Sequence, residues 1–253
     1  MVKGASIRFK SYEETLPKVL DLFKVSRELK KYDKIVIKPF LSSESEKSTS
    51  LELIESILKF CLAHKNPVAE IYIAEGVDGE DTGYLFDALG YRKLTEKYNV
   101  GLVDLNDAET SEIENDSFIK FSTIEFPKIL LNSFLISVTK LSHDEETEIT
   151  GSLSNMLGAF PSSKYKGFFS TKKNKIRKWP IKYSIYDIIK CKLPDFAVID
   201  ASDKGFILAG LPFELDKNAA KLLEKNWQMV PYLNLIHENT PKEEESKNTK
   251  GIQ

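Results

Sequence analysis

Polar side chains follow several apolar, β-branched runs of the sequence, at the points where these runs end. Lys38, Glu75, Asp104, Lys140 and Asp200 occupy such positions. If the runs are parallel strands, their carboxyl ends meet at one edge of a sheet, where open α/β sheets place their ligands. The pattern therefore predicts a polar ligand-binding cleft at that edge. The alternative is that these residues are ordinary strand-end groups that face water.

Lys140 and His143 are the candidate catalytic residues. His143 is one of 3 histidines and follows Lys140 closely in the chain. An imidazole can act as a general acid or base near neutral pH, while an ammonium group can anchor an anion. Together with a carboxylate, His143 is also the candidate metal ligand. A lone histidine is more often a hydrogen-bonded surface or core residue, so these alternatives stay open.

Two glycine-bearing segments could contact a ligand through their backbone. Residues 75–83 combine glycines with carboxylates, which suits a cation, an amine or a sugar hydroxyl better than a phosphate; the alternative is a solvated turn. Residues 150–161 are rich in hydroxyl groups and could place Asn155 in the site, or they could form a helix that ends at a glycine. Neither of the standard glycine-rich nucleotide motifs occurs.

Residues 164–192 form a basic segment with 10 lysines and arginines, and Asp187 is its single acidic residue. Interleaved aromatic residues suggest that the segment could bind RNA by charge and base stacking. Alternatively, the aromatics anchor the segment to the domain while the basic side chains stay solvated. The basic residues expected to contact RNA are Lys172, Lys173, Lys175, Arg177 and Lys178.

Strand and helix patterns alternate along the chain. Strands are predicted at residues 34–40, 68–74, 100–105, 134–138 and 196–200, and amphipathic helices at residues 12–29, 50–64 and 84–99. The acidic residues 107–116 are predicted to form a surface excursion. Repeated β-α-β order predicts an α/β fold, with a largely parallel sheet, helices on both faces and a basic insertion at about residues 162–192.

Composition limits the class of protein. The 253 residues are 42% hydrophobic and carry a formal net charge of −2, which predicts one globular domain over residues 1–238 and a disordered polar tail over residues 239–253. No apolar window reaches the roughly 18 residues of a membrane span, so no membrane partner is expected and the predicted location is cytoplasmic. Cys61 and Cys191 cannot supply the ligands of an iron–sulfur cluster, and none is expected.

Several short segments also carry a family resemblance. They are Lys38-Pro39, residues 73–76, 89–91, 101–106, 140–143, 150–158 and 194–200, and Asp216 with Ala219-Ala220. Over residues 34–237 the chain resembles the domain-of-unknown-function family 362 of archaeal and bacterial proteins. The resemblance implies that Lys140, His143, Asn155 and Asp200 are site residues.

The chain departs from the pattern of that family in three ways. It is one residue shorter before His143 than the usual Lys-Leu-Lys-Thr-His, and Ser154 stands where the family has a lysine. The ferredoxin cysteines of many members are also absent. The functions of the two missing lysines are therefore altered or lost here, and the family's iron–sulfur description does not extend to this chain.

These observations leave two hypotheses. The first is a cytoplasmic small-molecule enzyme or ligand-binding protein whose cleft lies at the carboxyl ends of the strands; whether it catalyses a reaction is left open. The second is a non-catalytic protein that binds RNA or a protein partner through residues 164–192. RNA binding of this kind would weaken steeply with salt.

Overall fold

The computed structural model describes residues 3–240. Its strands are β1 (Gly4–Arg8), β2 (Lys34–Lys38), β3 (Glu70–Glu75), β4 (Gly101–Asp104), β5 (Thr110–Glu114), β6 (Thr123–Pro127), β7 (Phe134–Lys140), β8 (His143–Asp144), β9 (Glu148–Ile149), β10 (Phe196–Ala201) and β11 (Phe206–Gly210). Its α-helices are α1 (Tyr12–Leu22), α2 (Val25–Leu29), α3 (Leu51–His64), α4 (Thr82–Ala88), α5 (Tyr91–Tyr98), α6 (Ser162–Tyr165), α7 (Ile181–Cys191), α8 (Pro212–Leu222) and α9 (Pro231–Glu238). From residue 241 on, the predicted polar tail lies outside the described residues.

A seven-stranded sheet in the order β1-β11-β10-β7-β2-β3-β4 forms the centre of the described chain. The strands from β10 to β4 pair in parallel. β11 pairs antiparallel with β10, and β1 pairs antiparallel with β11. The predicted α/β fold with a largely parallel sheet is therefore confirmed, while the antiparallel edge formed by β1 and β11 was not predicted.

Helices cover both faces of the sheet, as the alternating side chains of a strand require. Ile35 and Ile37 of β2 pack in the same core as helices α1 to α5. Val36, between them, packs in a second core with residues of α7, α8 and α9 and of the 3-10 segment Ser154–Ala159. The short strands thus read as nearly continuous apolar runs because both of their faces are buried.

Two of the predicted helices are interrupted. The helix predicted at residues 12–29 ends at Leu22, and a second helix starts at Val25 after Lys24, whose φ is 56°. The helix predicted at residues 84–99 is divided into α4 and α5 by Gly90, with φ of 83°. Both predictions of one continuous helix were wrong. In each case a residue with left-handed backbone angles turns the chain, while the helical spacing of apolar residues continues before and after it and hides the break.

The two charged segments are also more ordered than expected. The acidic residues 107–116 contain β5, which pairs with β6 in a two-stranded antiparallel ribbon. The basic segment ends in α7, whose Ile185 and Ile188 are fully buried, so this part belongs to the core and not to an excursion. Asp187 is buried as well and accepts backbone N–H groups of Ile119 and Lys120, each at 2.8 Å.

No helix within residues 3–240 has the length and apolar character needed to cross a membrane.

Candidate functional site

Three of the predicted residues meet at the carboxyl ends of the neighbouring strands β2 and β3. Lys38 is the last residue of β2 and Glu75 is the last residue of β3. The Nζ atom of Lys38 donates to Oε2 of Glu75 at 2.7 Å and to Oδ1 of Asn155 at 2.9 Å. Asn155 belongs to the 3-10 segment Ser154–Ala159. We call Lys38, Glu75 and Asn155 the buried polar cluster.

Water has almost no access to the buried polar cluster, since Lys38 is 0% exposed and Glu75 and Asn155 are each 3% exposed. Burial lowers the pKa of Lys38 because the ammonium group loses its hydration, and the negative charge of Glu75 opposes this shift. The other carboxylate oxygen of Glu75 accepts the backbone N–H of Gly76 at 2.7 Å. The Asn155 amide donates to the backbone oxygen of Lys38 at 3.1 Å. Hydrogen bonds from several elements therefore hold the charge pair.

The backbone at Gly158 lies directly against this charge pair. A Cβ atom at Gly158 would lie 2.1 Å from Oε1 of Glu75 and 2.7 Å from Nζ of Lys38. A Cβ atom at Gly76 would lie 2.6 Å from the backbone oxygen of Gly158. Both positions therefore require glycine. They lie in residues 75–83 and 150–161, the two segments predicted to bring backbone close to a ligand. In the structure these glycines lie against the charge pair and against each other.

A cavity of about 460 Å³ adjoins the buried polar cluster, and Glu75 and Asn155 form part of its wall. Its basic lining residues are Lys172 and Arg177. The carboxylates outnumber them, so the cavity favours positive charge. The carboxylate residues of the wall are Glu44, Glu75, Asp78, Glu80, Asp144 and Glu146.

Arg177 of the basic segment joins two acidic loops of the cavity wall. One of its terminal nitrogens lies 2.5 Å from Oδ2 of Asp78. Its Nε and its other terminal nitrogen bind the two carboxylate oxygens of Glu146 at 2.8 and 2.9 Å, a bidentate arrangement. The arginine thus holds the basic segment against the cavity and neutralises part of its negative charge.

Lys173 also turns inward from the basic segment. It is 0% exposed, and its Nζ donates to the backbone oxygens of Gly76 at 2.7 Å and Gly158 at 3.3 Å. Its backbone N–H donates to Oδ1 of Asp78 at 2.6 Å. Burial lowers the pKa of Lys173 to about 8. Lys173 therefore fastens the basic segment to the two glycines that lie beside the buried polar cluster.

These contacts change the interpretation of the basic segment. Of the five residues expected to contact RNA, Lys173 is buried and Arg177 is paired with carboxylates. Lys172, Lys175 and Lys178 are exposed. The segment thus serves as part of the cavity wall, and its binding to RNA stays a prediction.

Lys140 and Asp200 lie at the ends of β7 and β10 and do not line the cavity. Nζ of Lys140 lies 3.0 Å from Oδ2 of Asp203 in a partly exposed ion pair. Asp200 is buried and accepts the hydroxyl of Tyr12 at 2.6 Å. The structure therefore divides the predicted strand-end residues into two groups.

Asp104 takes an intermediate position at the end of β4. It pairs in register with Glu75 of β3, but it does not line the cavity. Its Oδ1 accepts the backbone N–H of Asn106 at 2.8 Å, and burial raises the pKa of Asp104. These contacts indicate a residue that shapes the loop after β4.

His143 is exposed in the short hairpin formed by β8 and β9. Its neighbour Asp144 lines the cavity, whereas His143 does not, as expected for successive residues of a strand. Within residues 3–240, no three histidine, cysteine, aspartate or glutamate side chains form a group that could hold a metal ion. The catalytic and metal-binding roles of His143 stay predictions, and its observed surroundings do not support them.

Several residues of the cavity wall were not among the predicted site residues. Asp78 lies in residues 75–83, a segment that was predicted to contact a ligand, although Asp78 itself was not singled out. Glu146 follows the predicted histidine position by a few residues. For Arg177 the sequence offers no signal that separates a residue paired with carboxylates from the solvated lysines near it, because basic residues recur throughout the segment.

Comparison with known proteins identifies a family and no activity. A family model described as Domain of unknown function (DUF362) matches residues 12–206 of this chain, well over half of its 253 residues. The match includes Lys38, Glu75 and Asn155. None of the curated proteins compared with the chain matches it.

Proposed function

We propose that this chain, which belongs to the DUF362 family, binds a small molecule that carries a positive charge in the cavity beside β2 and β3. The observation that carries the proposal is the excess of carboxylates over basic residues in the cavity wall. An amine or guanidinium group on the ligand would reduce the repulsion among these carboxylates. The family description names no activity, so the ligand class follows from the cavity alone.

The buried polar cluster supports a role for Glu75 as the counter-charge of the ligand. Glu75 is part of the cavity wall, and Lys38 and the backbone of Gly76 hold its carboxylate in place. A carboxylate that is oriented before the ligand arrives loses little conformational freedom on binding. The ammonium group of Lys38, at 2.7 Å, stabilises the negative charge of Glu75 away from water.

Apolar residues of the same wall fit the uncharged part of such a ligand. Phe40, Leu41, Val77, Leu157 and Ile176 line the cavity together with the carboxylates. A volume of about 460 Å³ lies in the range of small-molecule sites. The combination favours a small organic cation over a bare metal ion.

Calorimetric titration of the full chain tests this proposal. The probes are spermidine and arginine as cations, citrate as an anion and sorbitol as an uncharged molecule. We expect the cationic probes to bind and citrate and sorbitol not to bind. The double variant E44Q/E80Q removes two exposed charges of the wall, and we expect cation binding to weaken about fivefold, since each exposed charge contributes up to about 1 kcal/mol.

The matched control is E112Q/E114Q, which removes two exposed carboxylates from the ribbon strand β5, outside the cavity wall. It changes the net charge of the protein by the same amount and should leave cation binding unchanged. Equal effects of the two double variants, or citrate binding as tight as spermidine binding, would contradict the proposal.

We also propose that the protein works in the reducing cytoplasm. Cys61 and Cys191 are free thiols, which are typical of reducing compartments. Burial raises the pKa of each thiol to about 12, which disfavours the reactive thiolate. Cell fractionation of the tagged full chain tests this location, and recovery in an extracellular fraction would contradict it.

A further inference from the structure

The turn at residues 167–172 holds two aromatic side chains away from the rest of the described protein. Phe168 is 94% exposed and Phe169 is 96% exposed. Their rings pack edge to face on each other, with centroids 4.7 Å apart. The backbone N–H of Gly167 donates to the oxygen of Lys172 at 3.2 Å, which brings the two ends of the turn together. We call Phe168 and Phe169 the aromatic tip.

The base of this turn is fixed to the domain on both sides. Before it, Tyr165 is buried, packs on Phe160 with ring centroids 4.8 Å apart, and accepts the backbone N–H of Glu125 at 3.0 Å. After it, the buried Lys173 binds the backbone oxygens of Gly76 and Gly158. The aromatic tip therefore projects from an anchored base.

Basic residues flank the aromatic tip in the sequence. Residues 164–178 include 7 lysines and arginines and no acidic residue, although the whole chain has a net charge of −2. The exposed members of this set include Lys164, Lys166, Lys172 and Lys175. The turn thus combines two exposed aromatic side chains with exposed lysines nearby in the sequence.

We propose that the aromatic tip docks this protein on a bilayer that contains anionic phospholipids. Phe168 and Phe169 enter the boundary between headgroups and acyl chains, and the surrounding lysines contact the anionic headgroups. An apolar insertion together with a basic cluster supplies two signals, the combination that stable attachment to a membrane surface requires. Docking of this kind needs no membrane-spanning helix. It runs against the sequence-based expectation of no membrane partner, which stays a prediction.

A membrane accounts for both features of the turn, whereas RNA accounts only for the charge. Base stacking uses the faces of aromatic rings. The planes of Phe168 and Phe169 are inclined at 88°, so the tip does not offer two parallel faces to successive bases. Of the basic residues that RNA would also need, Lys173 is buried and Arg177 is paired with the carboxylates of Asp78 and Glu146.

Vesicle co-sedimentation of the full chain tests the proposal. One set of vesicles contains phosphatidylcholine with about one third phosphatidylserine, and the other contains phosphatidylcholine alone. We expect binding to the anionic vesicles that weakens with salt, and little binding to the neutral ones. The double variant F168A/F169A should bind the anionic vesicles about tenfold more weakly or worse, because it has no apolar group to insert.

The matched control is Met229→Ala, which removes an apolar side chain that is 76% exposed and lies outside the basic segment. It should bind vesicles like the wild type, and circular dichroism checks that all variants fold. Unchanged vesicle binding by F168A/F169A would overturn the proposal. So would an absence of vesicle binding together with poly(U) RNA binding that F168A/F169A loses. The cavity variant E44Q/E80Q should retain vesicle binding, so this proposal and the ligand proposal can fail separately.

Discussion

The ends of β2 and β3 and the ends of β7 and β10 carry similar residues in very different surroundings. In the first region the side chains of Lys38 and Glu75 are 0% and 4% exposed. In the second, the ion pair between Lys140 and Asp203 is 26% and 73% exposed. A lysine paired with a carboxylate at a strand end is thus a buried charge pair in one place and a surface contact in the other.

The segments that cover the strands account for this difference. The backbone at Gly158 and the side chain of Lys173 close over Lys38 and Glu75. At the other region Tyr12 covers Asp200, but Lys140 remains partly open to water. The comparison shows that the strand end provides the polar side chain. The segment that packs over the strand end determines whether that side chain is buried or exposed to water.

The largest expected effect separates the two ion pairs. Glu75→Gln leaves the Lys38 ammonium group buried without its counter-charge, and we expect a loss of about 3 kcal/mol in the free energy of unfolding. Asp203→Asn removes a partner of the partly exposed pair and should cost less than about 1 kcal/mol. Urea unfolding of both variants measures the difference. Equal losses would show that the two regions do not differ in the way described.

The pH dependence of the free energy of unfolding tests whether water is excluded from Lys173, which lies beside the buried polar cluster. The pKa of Lys173 is about 8 in the folded protein and lies near its ordinary value of 10.5 when unfolded. Between these values the unfolded chain binds more protons, so Lys173 makes stability rise with pH. Relative to Lys173→Met, the wild type should gain about 2 kcal/mol between pH 7.5 and pH 9.5.

Urea unfolding of the wild type and Lys173→Met at several pH values provides this measurement. Comparing the two proteins cancels the titration of the other lysines and of the tyrosines. The difference between them should be constant below about pH 7, where Lys173 is protonated in both states. Parallel profiles up to pH 9.5 would indicate that water reaches Lys173.

The smallest expected effects belong to the residues that the sequence placed first for catalysis. His143→Ala alters an exposed side chain and should change the free energy of unfolding by no more than about 0.5 kcal/mol. Binding of spermidine should also be unchanged, because His143 does not line the cavity. Calorimetric titration of this variant is the check. If His143→Ala folds but no longer binds spermidine, His143 does take part in ligand binding.

Local patterns predicted the parallel part of the fold because they have a short period. β2, β7 and β10 are apolar runs that stop at polar or small residues. Both an alternation of apolar and polar residues and a short continuous apolar run can be seen in a single sequence. The divided helices were missed because Lys24 and Gly90 change the backbone direction without changing the apolar spacing. The antiparallel edge was missed because β1 pairs with β11, near the other end of the described chain, and no local pattern records so distant a pairing.

The sequence by itself determined which polar groups stand at the strand ends, since that depends only on where each apolar run stops. It predicted Lys38, Glu75 and Asn155 as ligand-binding members of one site, together with Asp200, and it gave the catalytic roles to Lys140 and His143. Only the tertiary structure decided which of them share a buried environment. Lys38 and Asn155 lie 117 residues apart, and their hydrogen bond exists because the segment Ser154–Ala159 packs on β7, next to the end of β2, and excludes water. Burial of this kind is a property of the packed chain, and no local pattern records it.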